Sequence, residues 1–222
     1  MNAILFGGTG MVGQGVLREC LLDPDVMYVV SVVRAPTGQR HPKLRELVHS
    51  NFLDFSAIES ELSGFDAAFF CLGVTSAGKS EQQYARVTYD ITMAAAEPLA
   101  RLNPEMTFVF VSGAGTDSTE TGRVMWARVK GKAENALSRL PFKAAYMFRP
   151  GVIQPLHGIQ SRTALYRIPY LILRPLIPWL RRKFPRYVTT TEQLGRAMIG
   201  VAKHGAAKRV LESEDINRWS MS

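Results

Sequence analysis

Gly7, Gly10 and Gly13 stand three residues apart in the run NAILFGGTGMVG, where a short apolar stretch enters a turn and leaves it as a helical pattern. Glycine at the first position permits a tight turn, and at the second it lets backbone approach a phosphate. At the third it allows the helix to pack on the preceding strand. Amides at the start of such a helix face an anion. Thr9, Met11 and Val12 share the turn, which is expected to hold a dinucleotide pyrophosphate. Further along, Trp126 and Lys130 lie four apart, on one face of a helix, and Ser112 follows the apolar stretch TFVFV. An ammonium can hold sugar hydroxyls and a serine hydroxyl can orient a carbonyl. An indole N–H only donates a hydrogen bond and does not ionise usefully near neutral pH.

The end of the second apolar stretch bears on which dinucleotide fits. A carboxylate there would bind the ribose hydroxyls of NAD, whereas this chain has Val32-Val33-Arg34. Arg34 can pair with a 2′-phosphate, which favours NADP over NAD; a solvated loop arginine is the bland alternative.

These residues need strands and helices in alternation to hold them. Strands are expected at Ala3 to Phe6, Tyr28 to Val33, Asp66 to Leu72, Thr107 to Val111 and Ala144 to Phe148, with a weaker one at Leu47 to Phe52. Helices are expected at Ala57 to Leu62, Gln82 to Arg101, Arg123 to Leu140 and Glu192 to His204, besides the first, whose stripe is Val12, Val16, Leu17 and Leu21. Strands with little alternation imply burial on both faces, as in a doubly wound parallel α/β sheet. Pro98 predicts a kink or break in its helix. Thr189 and Glu192 are spaced as a capping box, Thr190 being the other candidate cap, and Gly205 stops the last helix.

The GxxGxxG spacing, with FFCLGVTSAGKS, FVFVSGAG, WARVKGKAE and FRPGVI, resembles the atypical short-chain dehydrogenases of the Tat-interacting-protein type, over roughly residues 1 to 155. The resemblance implies a Rossmann fold and a cytosolic NADPH-binding protein of the NAD-dependent epimerase/dehydratase kind; beyond the resemblance, a small C-terminal helical lobe is expected to follow that fold. It places Gly7, Gly10 and Gly13 at the pyrophosphate, Arg34 at the 2′-phosphate and Asp54 by the adenine. Cys71, Leu72 and Gly73 would line the strand end near the nicotinamide half, and Lys130 would hold the nicotinamide ribose. Ser112 stands at or beside the active-site hydroxyl, followed by Gly113 where many relatives have a second serine. Such enzymes carry Tyr and Lys four apart, and here Trp126 takes the phenol's place, which puts oxidoreduction in doubt while leaving cofactor binding intact. Tyr89 and Tyr146 are proton-donor candidates by residue type alone.

A structural alternative exists for that helix. Trp126, Val129, Ala133, Ala136 and Leu140 form an apolar stripe on which Trp126 is core and Lys130 a solvated charge. Gly131 weighs against it. A helix-interior glycine costs about 1 kcal/mol relative to alanine, so its place beside Lys130 implies close approach of a backbone or of the cofactor.

The chain has 222 residues, 46% of them hydrophobic, enough apolar material for one core. Residues 1–155 are expected to form the dinucleotide-binding core, and 156–222 a basic, apolar capping segment plus a helix in the same domain. No acidic residue falls between Asn135 and Thr191, while Arg162, Arg167, Arg174, Arg181, Arg182, Lys183 and Arg186 nearly account for the net charge of +8. Four prolines and these charges keep 162–186 from spanning a bilayer as one helix. The segment fits a cap over a small-molecule substrate, a membrane-surface anchor or a homo-oligomer interface. Its apolar content argues against nucleic acid. Cys20 and Cys71 read as buried thiols, and four histidines without ligand spacing argue against a metal. With no leader pattern before the first strand, a cytoplasmic protein is expected, or one peripheral to a membrane.

Overall fold

In the computed structural model, which describes residues 1–159 and 187–220, strand β1 (Asn2–Phe6) lies third from one edge of a seven-stranded sheet. The others are β2 (Tyr28–Val33), β3 (Leu44–Val48), β4 (Ala67–Phe70), β5 (Thr107–Val111), β6 (Ala144–Arg149) and, late in the chain, β9 (Val210–Glu212). Their order is β3-β2-β1-β4-β5-β6-β9, and every neighbouring pair is parallel. This is the doubly wound α/β arrangement the sequence predicts, and the order reverses between β1 and β4, where such sheets open a crevice at their carboxyl edge.

Successive residues of β1 face opposite layers. Ala3 and Leu5 pack with Val16, Leu17 and Cys20 of α1 (Met11–Leu22), while Ile4 and Phe6 pack on the other side with Ala95, Leu99, Ala133 and Leu137. Burial on both faces is why the central strands read as unbroken apolar runs. The second layer comes from a long helical stretch and α4 (Met125–Leu137). That stretch runs as α2 (Glu81–Ala85), a π-helical segment Arg86–Asp90 and α3 (Ile91–Leu102). It passes through Pro98 without a break, which corrects that part of the expectation: the departure from α geometry comes at Arg86–Asp90, more than two turns earlier in the chain.

Three further expectations are corrected. The third strand spans Leu44–Val48 and not Leu47 to Phe52, because it is an edge strand of half-exposed residues whose pattern is faint. The apolar residues that drew the reading onward, Phe52 and Phe55, are loop anchors, and Phe55 meets Phe6 edge-on. The helix expected at Ala57 to Leu62 is a 3-10 segment at Ser56–Glu61. The capping box also shifts by one residue: Thr190 accepts from the Gln193 amide and Gln193 returns the bond, opening α5 (Thr191–His204), with Gly205 at its end at φ +73°.

The sequence reading missed β7 (Val152–Gln154), β8 (Val188–Thr190) and α6 (Ser213–Trp219). β7 and β8 pair in parallel as a separate two-stranded sheet. Helix α5 packs on α1 through glycines: a Cβ on Gly15 would lie 2.7 Å from that of Thr191, and one on Gly195 2.8 Å from Glu19 Cγ. Glu19, buried in this seam, accepts from Arg196 Nε at 3.1 Å. The segment 162–186 lies outside the described residues.

Candidate functional site

The glycine turn is built so that side chains would destroy it. Gly7 has φ +85°, and a Cβ there would stand 2.8 Å from the Cys71 carbonyl carbon; one on Gly13 would overlap the Gly7 carbonyl oxygen. A Cβ on Gly8 would press on Ser31 Oγ of β2 at 2.6 Å. Gly10 differs, since its added Cβ would meet only the Gly7 oxygen, at 3.3 Å, and would otherwise project into open space at the mouth of the turn. The turn is tied by Gly10 N–H to Gly7 O at 2.9 Å and by Gln14 Nε2 to Thr9 O at 3.0 Å.

Helix α1 begins at Met11 with no side-chain cap and no acidic residue in its first turn, in contrast to the boxed start of α5. The first amides of an α-helix have no partner within it, which leaves Met11, Val12 and Gly13 able to donate to an anion. A diphosphate fits this cradle, and a Cβ at Gly10 would intrude on it.

The carboxyl ends of β4 and β5 bring the next groups to the same edge. Cys71 N–H donates to Phe6 O at 2.9 Å, so Cys71, Leu72 and Gly73 run directly beside Gly7, and Gly73 is exposed. Burial pushes the Cys71 and Cys20 thiols up, although Cys71 keeps some accessible surface and only Cys20 is fully enclosed, which corrects the expectation of two buried thiols. After β5 the chain runs through Ser112, Gly113 (φ +157°) and Gly115 (φ +85°). Trp126, half-buried in the first turn of α4, lies across this loop, with its ring edge 3.7 Å from where a Gly115 Cβ would be.

Lys130 donates from Nζ to the Ser112 carbonyl, and Nζ lies 3.9 Å from a Cβ built on Gly113. Burial lowers its ammonium to about 8, against the opposing pull of Glu134. Lys130 is therefore not the solvated charge of the alternative reading, and Trp126 is not deep core.

Ser112 differs from the expectation of a hydroxyl facing a substrate. It is buried, its hydroxyl donates to Glu134 Oε1 at 2.5 Å, and it lies 3.2 Å from Phe148 O. The geometry gives it a structural tie, with only its carbonyl turned to Lys130. Gly131 answers to a backbone and not to a cofactor, since a Cβ there would overlap the Asp117 carbonyl.

Arg34 is exposed one residue beyond β2, and Asp54 is exposed in the loop after β3, its carboxyl held low by the Ser56 amide and hydroxyl. His49 fixes this loop by contacting Asn51 O at 2.7 Å and Asp54 O at 2.8 Å. The other proton-donor candidates lie elsewhere: Tyr89 sits under Lys132 Nζ at 4.5 Å, and the Tyr146 hydroxyl accepts from the Ala206 amide at 2.9 Å.

Sequence reasoning missed Glu134 and Arg149. Glu134 is buried and receives Arg149 Nε at 3.0 Å, with a second bond from the same guanidinium to its other oxygen. Arg149 also donates to Ser118 Oγ at 2.6 Å. The four-residue spacing from Lys130 to Glu134 was a signal for one of them; the partner, at the end of β6, carried none.

Comparison with known proteins agrees with this architecture. Residues 3–123 match the model of the NAD dependent epimerase/dehydratase family. The mitochondrial protein fmp52-2 of Aspergillus oryzae is 28% identical over 155 residues, covering 68% of this chain and 67% of that protein. Rat HTATIP2 is 26% identical over 159 residues, covering 68% of this chain and 62% of the rat protein. The matched region thus spans about two thirds of the length of these relatives. Among solved structures, the Bordetella bronchiseptica enzyme WbmF in complex with NAD+ superimposes with a TM-score of 0.68 at 16% identity, over 98% of this chain and 76% of WbmF. The expectation of a cytoplasmic protein is corrected by its relatives, the proteins of Aspergillus oryzae and Emericella nidulans both being named mitochondrial. By its match across more than half its length and by its seven-stranded fold, the chain belongs to the NAD dependent epimerase/dehydratase family.

Proposed function

We propose that this protein binds NADP(H) along the carboxyl edge of its sheet and acts as an oxidoreductase or epimerase-like enzyme on an apolar or carbonyl-containing small molecule. The observation that carries the reading is the turn at residues 7–13, whose packing excludes side chains at Gly7 and Gly13 while the uncapped start of α1 leaves its amides for a diphosphate. Arg34 supports the phosphorylated coenzyme, because the run Val33 to Arg40 has no carboxylate of its own and the Glu46 carboxylate that reaches this loop is engaged by the Thr37 amide and hydroxyl. When bound, the nicotinamide supplies hydride chemistry. Lys130 holds the nicotinamide ribose, and its ammonium, lowered to about 8, can exchange a proton in the neutral range. Cys71 to Gly73 border the nicotinamide half, and Asp54 faces the adenine side. Trp126 lies against the glycine loop after β5.

Trp126 also favours a second reading, a non-catalytic NADP(H) sensor, since an indole cannot relay a proton as a phenol does. Isothermal calorimetry with NADPH and NADH tests the binding reading, with NADPH expected to bind more tightly; uptake of neither coenzyme by folded protein refutes it. Labelled NADPH with aldehydes, ketones and quinones then separates the two readings: label in a product establishes turnover.

A further inference from the structure

Glu134 and Arg149 have no part in holding a dinucleotide as described above, yet both converge on the peptide that receives Lys130. Ser112 is held three ways: its amide donates to Phe148 O at 2.8 Å, its hydroxyl to Glu134 at 2.5 Å, and its carbonyl accepts from the Lys130 ammonium. Glu134 is one helical turn beyond Lys130 and is 3% exposed. Both of its oxygens are engaged by Arg149, whose side chain is 12% exposed.

We infer that Glu134, clamped by Arg149, is a positioning residue for Lys130, fixing through the Ser112 hydroxyl the carbonyl on which the ammonium rests. A buried ion pair is a weak source of net stability, because desolvation of both charges offsets their attraction. This one instead joins α4, the end of β5 and the end of β6 at the point where Lys130 must be aimed. Its charge acts in the same direction, since Glu134 opposes the loss of the Lys130 proton that burial promotes. The surrounding charges are engaged with one another. Glu212 of β9 lies 3.8 Å from Arg149, and Asp117 adds negative charge near the same guanidinium. On the α2 side of α4, Arg128 pairs with Glu81 at 2.6 Å, and Lys132 lies over Tyr89. Arg149 is accordingly the cation that answers Glu134, and Glu134 the carboxylate beside Lys130.

The inference rests on the reading of Lys130 as the ribose-holding cation, and the test separates the two. The full chain with ε-13C-labelled lysine is titrated by NMR, Lys130 being assigned by the signal lost in Lys130→Arg, and NADPH binding is measured by calorimetry on the same samples. Glu134→Gln keeps the shape and an acceptor for Ser112 and Arg149 but removes the charge. It is expected to lower the Lys130 titration midpoint by about one pH unit and to raise the NADPH dissociation constant about tenfold. Ser112→Ala, which cuts the tie and leaves the charge, is expected to weaken NADPH binding with a smaller change in the midpoint; it decides the matter if Glu134→Gln does not fold. Folded variants with wild-type midpoint and wild-type affinity, differing only in Tm, overturn the inference. A midpoint that moves in Ser112→Ala, where the Glu134 charge is intact, in a protein that takes up no NADPH upholds the positioning and refutes the ribose reading.

Discussion

Lys130 is a cation whose behaviour is set by what surrounds it. Burial lowers its ammonium to about 8, so the charge is present below that pH and lost above it. NADPH affinity is therefore expected to fall as pH rises from 7 to 9, while Lys130→Arg, charged throughout, gives a flat profile; calorimetry across that range checks both. The same shift has a stability sign. Between about 8 and the free-peptide value of 10.5 Lys130 holds fewer protons in the native state than in the unfolded chain, so its own contribution to stability rises with pH in that window, opposed from about pH 9 by the Cys20 and Cys71 thiols that burial keeps protonated. Lys130→Met is expected to make the slope of stability against pH less positive than in the wild type across that window, as read from urea titrations. Arg34 makes a separate prediction: Arg34→Ala should weaken NADPH about tenfold and leave NADH unchanged, a charge-assisted bond being the difference. The glycines were legible because their requirement is conformational and local. The inward turn of the Ser112 hydroxyl was not, because it depends on Arg149, far along the chain, meeting Glu134 inside the fold.

At the scale of elements, what the sequence disclosed tracks burial. β2 and β5 are enclosed on both faces, and their apolar runs gave their bounds directly, whereas β3, at the sheet edge, gave too faint a pattern to locate. The short strands β7, β8 and β9 are three residues each, below the length at which periodicity carries information. The π segment likewise has no sequence mark, and Pro98, which has one, proved harmless. Helix α4 yields a test. Gly131→Ala gains helix propensity, but its Cβ meets the Asp117 carbonyl, a backbone atom that cannot swing away. A net loss of about 1–3 kcal/mol is expected in urea unfolding, with the same change at Gly64, where nothing lies within 4 Å but φ is +83°, acting through backbone strain alone.

For the whole molecule, net charge has kinetic consequences. A protein of formal charge +8 attracts an anionic coenzyme from a distance, so the NADPH association rate is expected to fall as ionic strength rises, with little change in dissociation, in stopped-flow measurements. Co-sedimentation with anionic vesicles at low and high salt distinguishes the roles proposed for 162–186: salt-sensitive pelleting supports the membrane-surface role, and its absence leaves the substrate cap or the subunit interface. Among the described residues no helix is long and apolar enough to cross a membrane.

The pairing of β7 with β8 has a consequence for how such a molecule could diversify. Val152 to Gln154 and Val188 to Thr190 lie side by side, so everything the chain carries between them departs from and returns to one small ribbon. Parallel neighbours need a crossover of about a dozen residues or more, and the intervening stretch exceeds that comfortably. A change in the stretch between them is therefore bracketed by a ribbon separate from the seven-stranded sheet on which the glycine turn stands.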